Sequence, residues 1–329
     1  MSRAGRRYYL LPFIAAIALL PGLSSAQSGR LDFPSKPVTL IVPYAPGNTD
    51  IIARIYLTQI SLNTGWTFTY DYKPGASGHI GATLAARSAP DGYTMLMMSS
   101  TITLGHLLKT PPPYDWRTAF VPIHQMTRTP PILIVSPALP VKTVAEYIAY
   151  GKKNPGKINY ANVGTGGITS LISAWMNRSM GVEVTYVPYK GYGPISTAMV
   201  SGEAHATHPS PKAFLSYIQS GKLRALATLQ ANGRVPQLPY LKSIAEEGVP
   251  DFDYTIWIGS FYPRGTPAAI VNLMNTEYNK AAKSPDVIKK FDDLGEGFGG
   301  GTPEEFRKLV IDTGARLTKV VEETGIQLE

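Results

Sequence analysis

The chain has 329 residues, no cysteine, 44% hydrophobic and 16% charged residues, and a formal net charge of +8. This is an ordinary globular composition, long enough for two domains, and it excludes a disulfide framework, a cysteine nucleophile and a lipidated cysteine. The basic excess is spread out, with only small clusters such as Lys152-Lys153, Lys157 and Lys289-Lys290, so the aromatic-interleaved basic stripe of a nucleic-acid binder is missing.

Arg3, Arg6 and Arg7 precede an apolar run over 8–20 that Pro21-Gly22 ends, and Ser24-Ser25-Ala26 follows as a small-residue cleavage site. The run is too short for a membrane span. Residues 1–26 read as a secretory signal cut after Ala26, which implies a soluble protein of a bacterial periplasm.

Residues 38–42 (VTLIV) read as a strand, broken by Pro43 and Pro46-Gly47, and a helix beginning near Asp50 runs to about residue 62, with Asp50 or Thr49 as its cap. Such a unit presents backbone N–H groups and the positive end of the helix dipole, which suits a phosphate or a carboxylate. Residues 66–72 (WTFTYDY) read as a strand, the glycine turn 73–78 leads into a helix over 79–87, and Pro90-Asp91-Gly92 turns into a strand over 93–98. The alternation predicts a parallel sheet covered by helices.

A loop at 111–115 (PPPYD) follows, and 119–135, with Pro130-Pro131, reads as a connection between domains. The αβ alternation then repeats: helix 143–153, strand 158–161, the turn Gly164-Thr165-Gly166-Gly167, helix 169–180, strand 182–187, helix 195–201, strand and loop 202–209, helix 212–220 and strand 223–229. The aromatic run 254–262 reads as a strand returning to the first domain. Helices over 267–282, 285–294 and 303–323 each carry proline near the start. The fold class is α/β, in two lobes joined by two crossings, with a helical C-terminal segment.

Three glycine turns enter helices in the same manner, at 46–49, 75–78 and 164–167. Each alone is equally a plain turn; together they point to an anion site between the lobes, at strand ends where α/β folds bind ligands. Gly164-x-Gly166-Gly167 lacks the third glycine and the later acidic residue of a dinucleotide fingerprint, and no P-loop is present. There is no GxSxG elbow and no HExxH among the five histidines, 79, 106, 124, 205 and 208. A strand would point His205 and His208 to opposite faces, so no metal is expected. His208 reads as lining the cleft and His205 as structural or partly exposed.

Several motifs then stand in a fixed order: KPVTLIVPYAPG at 36–47 with Thr49-Asp50 and Ala53-Arg54, KPGASGHIGA at 73–82 and PDGYTML at 90–96. The run 136–167, VPYKGYGP at 187–194, GKLRALAT at 221–228 and GTPAAIV at 265–271 complete the series. Over nearly the whole mature length the chain resembles the substrate-binding proteins of tripartite tricarboxylate transporters, the Bug family. The resemblance implies a type II-like periplasmic binding fold that closes on a small carboxylate, with no cofactor and no catalytic residue. Lobe 1 would comprise residues 31–130 plus 255–329, and lobe 2 residues 131–254.

The resemblance assigns ligand contacts to Tyr44, Pro46, Gly47, Asn48 and Thr49, to Ser77, Gly78 and His79, and to Ser99, Ser100 and Thr101. From the second lobe it assigns Gly164, Thr165, Gly166, Thr169, Tyr192, His208 and Ser210. Its implied partners are the small and large integral-membrane transporter subunits. Signalling to a membrane sensor kinase is an alternative, and a secreted hydrolase or lyase using His208 is the reading from another class.

Two departures shape the expected ligand. The family has two glycines where this chain has Gly47-Asn48, and aspartates where His205 and Pro209 stand. The missing aspartates argue against amino acids. A histidine donor favours a dicarboxylate or an aromatic carboxylate of the phthalate or terephthalate type. Tyr44, Tyr192 and Trp257 could stack on a ring; core packing is the alternative, above all for Trp257.

Overall fold

The computed structural model describes residues 1, 32–44, 46, 48–163 and 168–328, without the side chains of Asn48 and Thr49. The signal segment with its cleavage site, Gly47 and residues 164–167 lie outside the described residues.

The first half contains β1 (Val38–Val42), α1 (Asn48–Thr64), β2 (Phe68–Tyr72), a 3-10 turn (Ala76–Gly78), α2 (His79–Ala86) and β3 (Thr94–Ser99). A 3-10 helix (Ser100–Leu107), α3 (Trp116–Ala119) and β4 (Phe120–Thr129) follow. The chain continues with β5 (Ile132–Val135), α4 (Val144–Lys153), β6 (Asn159–Val163), α5 (Ile168–Ser179), β7 (Thr185–Tyr189), α6 (Tyr192–Ser201) and β8 (Ala206–Thr207). A 3-10 turn (Pro211–Phe214), α7 (Leu215–Gln219) and β9 (Arg224–Thr228) complete that part. The last part is β10 (Ile256–Pro263), α8 (Ala268–Ala282), α9 (Pro285–Leu294), β11 (Phe298–Gly300) and α10 (Pro303–Thr324).

Two sheets result, ordered β11-β4-β10-β3-β1-β2 and β7-β6-β8-β5-β9. Strand β1 runs parallel to β2 and β3, while β10 runs antiparallel to β3 and β4. Ile258 pairs with Ser99 and Ile256 with Thr129, so the carboxyl ends of β1, β3 and β4 share one edge. There the chain leaves through Pro130-Pro131, which have no N–H to continue a ladder, and enters the second sheet. The Ile132 N–H donates to the Pro209 carbonyl at 3.0 Å, which puts the start of β5 beside the end of β8. Since β6 runs parallel to β7 and β8, their carboxyl ends lie on that edge too. Both sets of strand ends therefore gather at the crossings.

Helix α1 buries Ile52, Ala53, Tyr56, Leu57 and Ile60, a one-sided stripe, against α8 and α9. Helix α10 opens with a capping box between Thr302 and Glu305 and stops at left-handed Gly325. Its Phe306 and Val310 pack with Trp257 and Phe261, in the room left by Gly259, while Leu317 and Val320 join the cluster of Trp175 and Phe252. The C-terminal helix thus packs on the cores of both sheets. No helix among the described residues is long and apolar enough to cross a membrane.

Three sequence expectations shift. Helix α1 starts at Asn48, so Asp50 lies in its first turn instead of capping it. The helix expected over 212–220 is a 3-10 turn followed by α7. The connection at 119–135 is two strands divided by the prolines.

Candidate functional site

On the lobe-1 edge three loops meet at Tyr44. Its hydroxyl is 2.9 Å from Ser99 Oγ and accepts from the Ser99 N–H at 3.2 Å. Ser99 Oγ lies 2.9 Å from Thr101 Oγ1 and accepts from the Thr101 N–H, capping the 3-10 helix after β3. The ends of β1 and β3 are thereby stitched through hydroxyls. In the second loop Gly75, Ala76, Ser77 and Gly78 have φ of 125°, 46°, 53° and 97°. Left-handed backbone at Ala76 and Ser77 costs roughly 1–2 kcal/mol each, strain of the sort that collects at binding sites. Gly78 is buried; a Cβ there would lie 2.9 Å from Met98 and 3.4 Å from the Tyr44 ring. Its bare backbone lets the turn rest on Tyr44. Ser77 and Pro46 are exposed.

Two of the residues considered are buried side chains. His79 is buried, its Nδ1 2.6 Å from the Tyr114 hydroxyl and its ring against Gly105. Burial pushes its pKa down to about 4, so it is a neutral prop beneath the turn. Trp257, considered as a stacking platform, is wholly buried, donates to Thr313 Oγ1 at 3.2 Å and meets Phe306 edge-on. It is a core residue.

On the lobe-2 edge Thr169 Oγ1 donates to the Val163 carbonyl at 3.0 Å and so bridges the ends of the Gly164–Gly167 stretch. Tyr192 opens α6 after Gly191 (φ 123°) with its ring edge-on to Phe214. His208, just past β8, is buried, with Nδ1 3.0 Å from the Tyr160 hydroxyl. Burial pushes it down to about 4, which leaves it neutral. Ser210 follows and its carbonyl accepts from the Ala213 N–H. His205 Nδ1 accepts from the Asn159 N–H at 2.9 Å, a structural role that separates it from His208. Among the described residues no group of three acidic or histidine side chains could hold a metal.

The sequence reading missed two residues. Tyr254, on the return crossing, is 3.4 Å from Ser100 Oγ; burial raises the Tyr192 hydroxyl, and charge repulsion from Tyr254 raises it further. Tyr254 joins lobe 1, crossing and lobe 2; its place at the head of an aromatic run was the available signal. Asn162 shares a strand face with Tyr160 near the end of β6, and its Oδ1 is buried without a hydrogen-bond partner.

The array is made of hydroxyls, backbone N–H groups and neutral imidazole. That chemistry can hold an anion through hydrogen bonds.

The sequence profile described as the tripartite tricarboxylate transporter family receptor matches residues 52–326. Protein BugT of Bordetella pertussis is 32% identical over 97% of this chain and 98% of its own. An R. palustris protein solved with adipate is 34% identical, covering 91% of this chain and 100% of its own, with a TM-score of 0.75. MatC from Rhodopseudomonas palustris with bound malate is 28% identical, covering 88% and 100%, with a TM-score of 0.70. Fold and site define a two-lobed solute-binding receptor, not an enzyme. The chain belongs to the tripartite tricarboxylate transporter receptor family, whose Bug members are periplasmic binding proteins.

Proposed function

We propose that this chain is exported to the periplasm, captures a small dicarboxylate or aromatic carboxylate between its lobes, and delivers it to the membrane components of a tripartite transporter. The lobes are residues 31–130 with 255–329, and residues 131–254. The observation that carries this reading is the pairing of two strand-end donor arrays, Tyr44–Ser99–Thr101 and Tyr160–His208, with no carboxylate in either. One ligand carboxylate meets the hydroxyls and backbone of lobe 1. The second end of the ligand meets lobe 2, where a neutral imidazole offers a single donor. An amino acid's ammonium finds no acidic partner among these groups. Adipate and malate, bound by two relatives, set the probe class.

Thermal-shift and calorimetric titration with adipate, malate, phthalate, terephthalate and glutamate test the reading. At a hundredfold excess over Kd a true ligand adds about 2.7 kcal/mol and moves the melting temperature clearly. A shift with one of the first four and none with glutamate is the expected result. Silence across all organic acids rejects it.

A further inference from the structure

Asp50 and Arg54, one turn apart on α1, belong to no donor array, yet they stand at the helix N-terminus that borders the lobe-1 loop. The Asp50 carboxylate is in the first turn with its side chain 6% exposed. Its Oδ2 accepts from Arg54 Nε at 2.9 Å and from the Tyr72 hydroxyl at 2.6 Å. The Arg54 guanidinium also donates to the Tyr72 hydroxyl and lies over the Tyr70 ring, 4.2 Å from its centroid. Tyr70 and Tyr72 share a face of β2, and Tyr72 pairs with Val42 at the end of β1. The cluster ties the first turn of α1 to β2 across the loop after β1.

Charge gives this cluster a consequence for binding. The α1 N-terminus carries roughly half a positive charge. A buried carboxylate in the first turn more than cancels it and repels any second carboxylate that arrives at the same terminus. A guanidinium held against Asp50 removes that repulsion. Arginine suits the task because its planar fork reaches carboxylate and phenol together while its face stacks on a ring.

We propose that Arg54, fixed by Asp50, Tyr72 and Tyr70, keeps the α1 terminus receptive to the ligand's carboxylate, as a positioning residue that acts through Asp50 without touching the ligand. This rests on the carboxylate-receptor reading. The test is calorimetric titration of the full chain with adipate and malate at low and high salt. Arg54→Gln should weaken binding by about tenfold or more at low salt, and the loss should shrink at high salt. The double variant Asp50→Asn/Arg54→Gln should bind within about threefold of wild type, because an amide at position 50 no longer repels the ligand. Tyr72→Phe, which keeps both charges, should weaken binding by no more than about threefold, without salt dependence.

A double variant as weak as Arg54→Gln, or an Arg54→Gln variant that binds normally, overturns the inference. So does a Tyr72→Phe loss as large as that of Arg54→Gln, since geometry and not charge would then decide. If wild type itself binds none of the organic acids, the receptor reading fails first. Wild-type binding with indifferent variants removes this inference alone.

Discussion

Lobe 1 presents donors that are tied to one another, whereas lobe 2 presents donors held by burial. In lobe 1 Tyr44, Ser99 and Thr101 form a continuous hydroxyl chain, and a strained glycine turn rests on it. In lobe 2 one phenol–imidazole pair stands beside a strand-end amide whose oxygen has no partner, and Thr169 spends its proton on backbone. Under the proposed function the difference assigns tasks. A carboxylate reaching lobe 1 finds its donors already ordered, so little entropy is lost. Lobe 2 contributes shape and neutral polarity, which suits discrimination among the ligand's far ends.

The largest expected effect that separates the lobes is acid sensitivity. Burial pushes His79 and His208 down to about 4 and His124 to about 3. All three are neutral when folded, and in the unfolded chain each titrates near 6.5. Between those values the unfolded chain binds more protons, so stability is full above about pH 6.5 and falls as pH drops toward 4. Each such group costs about 3 kcal/mol across that window. Lobe 1 carries two of them and lobe 2 one, so more of the acid loss arises in lobe 1. His124 stacks on Tyr278 at 4.9 Å with neither ring nitrogen hydrogen-bonded. His124→Phe should therefore change the melting temperature little near pH 7.5 and raise it near pH 4.5. Scanning calorimetry across that range decides, and an acid loss equal to wild type contradicts it.

Next in size is the glycine contrast within lobe 1. Gly78 and Gly65 both have positive φ, 97° and 75°. An added Cβ meets Met98 and Tyr44 at Gly78 and nothing within 4 Å at Gly65. Both alanine variants should lose roughly 1–2 kcal/mol in urea unfolding from backbone strain. Only Gly78→Ala should also lose affinity, by about tenfold or more, because its Cβ presses on Met98 and shifts the turn beside Tyr44. Equal affinities would show that the turn's seat on Tyr44 does not matter.

Much of this was legible in sequence because it is local. Helix α9 runs over the expected residues 285–294, since Pro285 at its start and Gly295 after its end mark both boundaries. The strand–turn–helix units were legible through β-branched runs and turn residues, and the return strand Ile256–Pro263 through its aromatic run. Side-chain partners across sequence distance were not. His79 finds Tyr114 and Trp257 finds Thr313, pairings that no period encodes. The 3-10 helix over Ser100–Leu107 escaped because its polar and apolar residues follow no helical stripe. Tyr254 and Asn162 emerged only once the crossings had placed the strand ends together.

The smallest effect probes the hydroxyl chain itself. Ser99→Ala removes the oxygen that bonds Tyr44 and Thr101 and caps the 3-10 helix, yet it leaves the backbone N–H that also holds the Tyr44 hydroxyl at 3.2 Å. One neutral hydrogen bond is worth about 1 kcal/mol net, so affinity for the best carboxylate of the panel should fall about fivefold. Lobe 2 lacks that backup. Tyr160→Phe leaves His208 Nδ1 buried without its partner, a cost of about 1–3 kcal/mol that should appear in stability as well as in affinity. If Ser99→Ala abolishes binding while Tyr160→Phe does not, the serine hydroxyl carries far more of the binding than one hydrogen bond and the order of the two lobes reverses. If both fall alike, the distinction between tied and buried donors has no consequence for binding.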